Sequence, residues 1–103
     1  MHEYAYQIHR IPEFRDWFDQ QTEKARVQID GRLSKIQDEG YFGDHKSVSD
    51  DDVIWELKWK NGRRLYFAEI PEKQILVLLG GNKNGQSKDI TQSKKILKKH
   101  TKA

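Results

Sequence analysis

The residues of this chain that could do chemistry are one carboxylate, several cations and a tyrosine in its second half. They are Glu56, Lys58, Arg63, Arg64, Tyr66, Lys83 and Lys88. This combination suits cleavage of RNA without a metal: an acid–base group activates the 2′-hydroxyl, arginine or lysine stabilises the phosphorane charge, and the leaving oxygen takes a proton. The same residues are also consistent with a β-hairpin that exposes a charged face and has no catalytic role.

Other kinds of active site are not indicated. The sequence has no nucleophilic triad, P-loop, dinucleotide-binding fingerprint or zinc-ligand spacing. The acidic run at 50–52 has no second cluster of ligands beside it, so we interpret it as a solvated loop rather than a metal site. His45 and Lys46 lie just before the hairpin, where a loop residue could lean over a site. We expect neither a metal nor a cofactor.

Two strands joined by a tight turn are predicted to position most of the charged set. Apolar and polar residues alternate over 53–60, which is typical of a strand with two unlike faces. Asn61-Gly62 favours a two-residue type I′ turn, because this dipeptide accepts positive φ at both positions. Residues 63–70 are therefore expected to return beside the first strand.

The register of this hairpin decides which side chains share a face. A two-residue loop pairs Leu57 with Tyr66 and puts Arg64 on the face opposite Glu56. A single β-bulge, which is common near hairpin turns, would bring Arg64 to the Glu56 side instead. The sequence leaves open whether Arg63 or Arg64 faces the site.

A central strand and a final helix are predicted after the hairpin. Residues 75–79 form an unbroken apolar run, which indicates a strand covered on both faces. A glycine-rich stretch, residues 80–83, ends that strand, and a helix marked by Ile90 and Leu97 follows. The amino end of this helix, beside Lys83 and Lys88, is suited to binding a phosphate group.

The first half of the chain is predicted to contain a short strand and a helical hairpin. The strand lies at about residues 4–8, and a first helix begins near Pro12 with an aromatic stripe. A second helix is capped by Thr22 and ended by Gly40 in the left-handed conformation. Its apolar positions are Ala25, Ile29, Leu33 and Ile36. Residues 41–52 are expected to form a loop.

Composition indicates one small domain over residues 1–103, with a basic and frayed tail at about 98–103. The chain has no cysteine and no apolar run of membrane-spanning length, and we expect a cytoplasmic protein. Net charge is +3, but residues 82–103 contain seven lysines and one aspartate. That segment therefore carries +6 and the remainder −3, which suggests an anionic partner such as phosphate or an acidic protein.

An ordered set of short motifs spans nearly the whole chain. The motifs are Gly40-Tyr41-Phe42-Gly43-Asp44-His45-Lys46, Trp55-Glu56-Leu57-Lys58, Arg64-Leu65-Tyr66-Phe67, Leu78-Leu79-Gly80-Gly81-Asn82-Lys83 and Asp89-Ile90. In this order and spacing the sequence resembles the HigB-like branch of the RelE/ParE toxins, the phage-derived addiction-module killer proteins of type II toxin–antitoxin systems.

The resemblance implies an α+β fold: an N-terminal strand, a helical hairpin packed on an antiparallel sheet of about four strands, and a C-terminal helix. It implies a ribosome-dependent endoribonuclease, or mRNA interferase, that cleaves mRNA in the ribosomal A site and arrests growth. It also implies a cognate antitoxin, encoded alongside and carrying a helix-turn-helix DNA-binding domain. ParE-type relatives share the fold but act on DNA gyrase, so the alternatives are a gyrase inhibitor that binds through its basic C-terminal helix, or an inactive antitoxin-binding relic.

The resemblance also implies roles for individual residues. The catalytic positions are Glu56, Arg64, Tyr66 and Lys83, and the RNA-binding positions are Lys46, Lys58, Arg63 and Lys88. Lys58 stands where the family more often has arginine. An ammonium group lacks the planar fork with which a guanidinium group binds phosphate, so phosphate binding at Lys58 is expected to be weaker.

Overall fold

The computed structural model describes residues 3–51 and 53–101. In chain order the elements are β1 (Gln7–Arg10), α1 (Pro12–Asp19), α2 (Glu23–Glu39), β2 (His45–Ser47), β3 (Ile54–Lys58), β4 (Arg63–Ile70), β5 (Gln74–Asn82), a 3-10 turn (Lys83–Gly85) and α3 (Gln86–Thr101). This order confirms the predicted α+β class. The final helix continues through Thr101, past residue 98, where the sequence predicts a frayed end.

The five strands form one mixed sheet in the order β1-β5-β4-β3-β2. β1 runs parallel to β5, and every other neighbouring pair is antiparallel. The predicted N-terminal strand, antiparallel strands and C-terminal helix are present, and the structure adds that β1 joins β5 in parallel, so that the sheet has five strands. β1 pairs with a strand that is distant in the sequence, which no local pattern specifies. β2 falls within the predicted loop over 41–52, because its three polar residues form a strand only by pairing with β3.

The helical hairpin agrees closely with the sequence. The Thr22 hydroxyl accepts a hydrogen bond from the Ala25 amide at 3.1 Å and caps α2, as predicted. Gly40 ends the helix with φ of 70°. All four predicted apolar positions of α2 are buried. Within the described ranges 3–51 and 53–101, no helix has both the length and the apolar character needed to cross a bilayer.

Helices cover both faces of the sheet. A side chain on Gly80 would overlap the ring of Trp17 on α1, and a side chain on Gly81 would overlap the carboxylate of Asp89 on α3. Because successive strand residues point to opposite faces, α1 and α3 lie on opposite sides of β5. The residues 75–78 of β5 are buried, which confirms the predicted central strand with two covered faces.

The turn between β3 and β4 has three residues rather than the predicted two. The Gly62 amide donates to the Trp59 carbonyl at 3.1 Å, and the Trp59 amide donates to the Arg63 carbonyl at 3.1 Å. Gly62 alone of the two predicted turn residues has positive φ, at 96°. This geometry is a turn followed by a glycine bulge, and Asn61 supports it by accepting a hydrogen bond from the Arg63 amide at 2.9 Å.

Candidate functional site

The extra turn residue shifts the hairpin register by one and places Arg64 and Tyr66 on the same face of the sheet as Glu56 and Lys58. Leu57 pairs with Leu65 instead of Tyr66, and Lys58 pairs with Arg64. Paired residues lie on the same face, so the α3 side of the sheet carries two rows of polar side chains. One row runs Lys46, Glu56 and Tyr66, and the other runs Lys58, Arg64 and Gly81.

Glu56 and Arg64 form an ion pair beneath α3. Arg64 Nε lies 3.6 Å from Glu56 Oε1, and the carboxylate is fully buried. Gln86, the first residue of α3, donates from Nε2 to Glu56 Oε2 at 2.7 Å. Arg64 Nη1 donates to the carbonyls of Arg63 at 3.0 Å and Trp59 at 3.3 Å. The guanidinium group is therefore held from two sides, which fixes its direction in advance of any ligand.

Tyr66 lies in the same row as Glu56 and is fully buried. Among the residues that the structure describes, its hydroxyl makes no hydrogen bond of ordinary geometry, although it lies close to the carboxylate of Glu56. Burial, together with the nearby carboxylates of Glu56 and Asp89, raises the pKa of the Tyr66 phenol well above its usual value. The phenol therefore remains protonated in neutral solution, so it can donate a proton but cannot act as a general base.

Asp89 belongs to this site although it is absent from the predicted site residues. It lies in the first turn of α3, and its carboxylate occupies the space that a side chain on Gly81 would fill. Burial raises the pKa of Asp89, and the neighbouring Lys88 opposes that shift. The signal in the sequence was the Gly80-Gly81 pair, since a glycine within a strand marks a close approach by another group.

Lys83 and Lys88 lie at the end of the sheet where Arg64 pairs with Gly81. Both side chains are exposed. The Lys83 amide donates to the Gly62 carbonyl at 2.8 Å, and the Lys83 side chain lies against Gly62, 3.6 Å from where a Cβ would stand. The structure therefore brings Lys83 to the hairpin turn that precedes Arg64.

Arg63 is the one predicted site residue that lies on the other face of the sheet. It pairs with Asn82 and donates from Nη1 to Gln28 Oε1 on α2 at 2.9 Å. Its guanidinium carbon lies 5.5 Å from the centre of the Trp59 ring. The structure thus resolves the choice between the two arginines: Arg64 faces Glu56, and Arg63 faces the helical hairpin.

Accessibility divides the site into a covered part and an open part. Glu56 and Tyr66 are fully buried, whereas 13% of the Arg64 side chain is exposed. Lys58 and Asp89 are half-buried. A ligand can therefore reach the amino end of α3 without any movement of the helix. Within the described part of the chain, no group of three or more histidine, aspartate or glutamate side chains could hold a metal ion.

The chain matches the family described as "Phage derived protein Gp49-like (DUF891)" over residues 16–101. It is also 38% identical over 73 residues to an uncharacterised protein of Haemophilus influenzae, an alignment that covers 69% of this chain and 71% of that protein. The chain therefore belongs to the Gp49-like phage-derived family.

Solved structures of RelE toxins have the same fold as this chain. A double mutant of E. coli toxin RelE in the free state has a TM-score of 0.69 and 15% identity, and the match covers 92% of this chain and 97% of RelE. The same mutant in complex with a RelB antitoxin peptide has a TM-score of 0.64 and 17% identity, with 82% and 94% covered. The RelBE2 complex of Mycobacterium tuberculosis has a TM-score of 0.62 and 10% identity, with 75% and 96% covered. The predicted membership in the phage-derived RelE-like family is thus confirmed.

Proposed function

We propose that this protein is the toxin of a type II toxin–antitoxin pair and that it cleaves mRNA on the ribosome without a metal ion. The observation that carries the proposal is the shifted hairpin register, which holds Arg64 between the buried Glu56 and the open end of the site. A guanidinium group that is held in place in advance can stabilise the charge that develops on a phosphate group during cleavage. Family membership and the RelE fold support the toxin assignment.

The proposed reaction is attack of a ribose 2′-oxygen on the adjacent phosphorus. The new P–O bond forms as the bond from phosphorus to the 5′-oxygen breaks, which yields a 2′,3′-cyclic phosphate and a 5′-hydroxyl end. Asp89 takes the proton of the 2′-hydroxyl, because it is the accessible carboxyl group and burial raises its pKa. Arg64 and Lys83 stabilise the charge on the phosphorane. The leaving oxygen takes a proton from water at the open end of the site.

The remaining predicted residues have supporting roles in this mechanism. Glu56 orients Arg64 by the 3.6 Å ion pair. Tyr66 fills the space beside Glu56 as a neutral phenol and would donate a proton to RNA only if α3 moved aside. The backbone phosphates beside the reacting one are bound by Lys46, Lys58 and Lys88. Arg63, the fourth predicted RNA-binding residue, contacts RNA from the opposite face of the sheet.

An antitoxin partner is part of the proposal. Three of the RelE-fold structures similar to this chain are complexes with an antitoxin or an antitoxin peptide. We propose that the antitoxin of this protein covers the cationic end of the sheet, because the exposed Lys83 and Lys88 attract an acidic segment there. The helix-turn-helix domain belongs to that partner. Action on ribosomes places the toxin in the cytoplasm.

The second candidate is inhibition of DNA gyrase or another protein through α3. It is favoured by three lysines, Lys94, Lys95 and Lys98, that are all exposed on this helix. This function requires no catalytic group, so it predicts arrest of growth that depends on the helix surface and is insensitive to changes at Arg64 and Asp89.

Induced expression in cells tests the proposal. Wild type, Arg64→Lys and Asp89→Asn are compared for growth and for new transcript ends by primer extension, with Asp50→Asn in an exposed loop as the matched control. Arg64→Lys keeps a charge beside Glu56 but removes the planar fork, and we expect about a hundredfold less cleavage. Wild type and Asp50→Asn should arrest growth and cut transcripts. Intact transcripts in arrested cells would refute the nuclease and favour the second candidate.

A further inference from the structure

A groove between α2 and the β3–β4 hairpin lies outside the site described above. Its volume is about 680 Å³, and it is lined by aromatic and cationic side chains. The lining residues that matter here are Arg32, Lys35, Tyr41, Trp59, Lys60 and Asn61. Three of these are cations, and Asp44 is the one carboxylate among the lining residues. The groove therefore presents positive charge on largely apolar walls.

Arg32 forms the fixed part of this groove. It donates to the backbone carbonyls of Phe42 at 2.7 Å and Asp44 at 3.1 Å, and to that of Lys58. Its guanidinium carbon lies 4.3 Å from the centre of the Trp59 ring. The carbonyl groups orient the guanidinium plane, and the carboxylate of Asp44 interacts with its charge. Arg32 is therefore suited to stacking on a base rather than to holding a phosphate group.

Tyr41 and two lysines form the accessible part. The Tyr41 side chain is 58% exposed, and the ammonium group of Lys35 lies 5.7 Å from the centre of its ring. Lys35 and Lys60 are both exposed. Aromatic rings interleaved with cations are the arrangement on which proteins bind single-stranded nucleic acid, because the bases stack while the cations meet the phosphates.

The groove continues along the helical-hairpin face of the sheet. Asn61 lines both this groove and a second cleft of about 360 Å³, whose lining includes Trp17, Arg63 and Asn82. Trp17 and Arg63 lie on the face of the sheet opposite Glu56 and Arg64, so the cleft continues the groove on that face. Asn82 precedes Lys83, whose side chain lies against Gly62 of the hairpin turn. A chain that lies in the groove can therefore continue past the hairpin turn to Lys83, at the end of the sheet.

We infer that this groove binds single-stranded RNA on the helical-hairpin face of the sheet, with a base on Tyr41 and phosphates on Lys35 and Lys60. This inference rests on the proposed nuclease function. The RNA is favoured over an acidic peptide because the groove combines aromatic and cationic side chains and because the path leads to Lys83. Arg63 lines the second cleft, where it would contact the same RNA.

Fluorescence anisotropy with a labelled single-stranded 2′-O-methyl RNA of twelve nucleotides tests the inference, since this probe cannot be cleaved. Lys35→Glu/Lys60→Glu is compared with Lys95→Glu/Lys98→Glu, an equal change of charge at exposed positions on α3. We expect the groove variant to bind about tenfold or more weakly and to lower the slope of log K against log salt by about 1.4, as two phosphate contacts are lost. Tyr41→Ala should weaken binding about five- to tenfold through loss of stacking.

Equal losses in both lysine variants would overturn the inference, because binding would then follow net charge alone. Unchanged binding by the groove variant would also overturn it, and so would displacement of the RNA by a polyglutamate peptide at a lower concentration than by unlabelled RNA. These outcomes are separate from failure of the proposed function. RNA bound in the groove without transcript cleavage in cells would refute the nuclease and leave the binding site standing.

Discussion

Arg64 Nε lies 3.6 Å from Glu56 Oε1, and that carboxylate is fully buried between the sheet and α3. At 3.6 Å the contact is an ion pair longer than a hydrogen bond. The other carboxylate oxygen of Glu56 accepts a hydrogen bond from the neutral side chain of Gln86. The positive charge of Arg64 therefore balances the negative charge of Glu56. The pair therefore links the stability of the α3 interface to the geometry of the proposed site.

Removal of the arginine alone should destabilise the protein. We expect Arg64→Met to lower the free energy of unfolding by about 3 kcal/mol, since it leaves a buried charge without a partner. The double variant Glu56→Gln/Arg64→Met removes both charges and should lose less than about 1 kcal/mol. Urea unfolding measures both values. A double variant less stable than Arg64→Met would contradict this account of the pair.

Two glycines should respond to alanine in opposite directions. Gly81→Ala places a methyl group on the Asp89 carboxylate. We expect the free energy of unfolding to fall by about 1–3 kcal/mol, together with loss of transcript cleavage.

Gly31 lies exposed within α2, and a methyl group there would meet no atom within 4 Å. Gly31→Ala should therefore raise the free energy of unfolding by about 0.5–1 kcal/mol. Thermal and urea unfolding test both, and stabilisation by Gly81→Ala would refute the contact with Asp89.

The carboxyl end of α3 should weaken in acid. Burial tends to raise the pKa of Glu13, but hydrogen bonds from His100 at 2.9 Å and Lys99 at 3.2 Å outweigh it and lower that pKa below 4.5. A lowered folded-state pKa gives stability that is present above the unfolded value and is lost as the pH falls through the folded value. The stability difference between wild type and Glu13→Gln should therefore shrink from pH 5 to about pH 3. Urea unfolding at several pH values measures it, and a difference that does not change with pH would contradict the prediction.

Tyr66 should limit stability in alkaline solution. Its pKa is raised above 10.0 by burial and by Glu56 and Asp89. A raised folded-state pKa gives stability that is present below the unfolded value and is lost as the pH rises through 10 toward the folded value. Tyr66→Phe removes this dependence and a buried hydroxyl that makes no hydrogen bond of ordinary geometry within the described residues, so it should be as stable as wild type at neutral pH and more stable above pH 10. Urea unfolding at pH 7 and pH 10.5 tests this, and an identical loss in both proteins would refute it.

Local patterns were sufficient for the helices and the central strand. The spacing of Ala25, Ile29, Leu33 and Ile36 identified the buried face of α2, and Thr22 and Gly40 identified its ends. The apolar run of β5 correctly indicated a strand covered on both faces. These features depend on hydrophobic periodicity and on capping, both of which are properties of residues close together in the chain.

The hairpin register and the content of the site depended on the tertiary structure. Asn61-Gly62 suits both a two-residue and a three-residue turn, and the choice between them moves Arg64 from one face of the sheet to the other. The edge strands β1 and β2 required partners distant in sequence. Asp89 lies beside Gly81, the strand partner of Arg64, only because α3 packs against β5, a contact between separate elements. The sequence by itself therefore determined the fold class, the helices and the charged residue types, whereas packing between elements decided which of those charges meet.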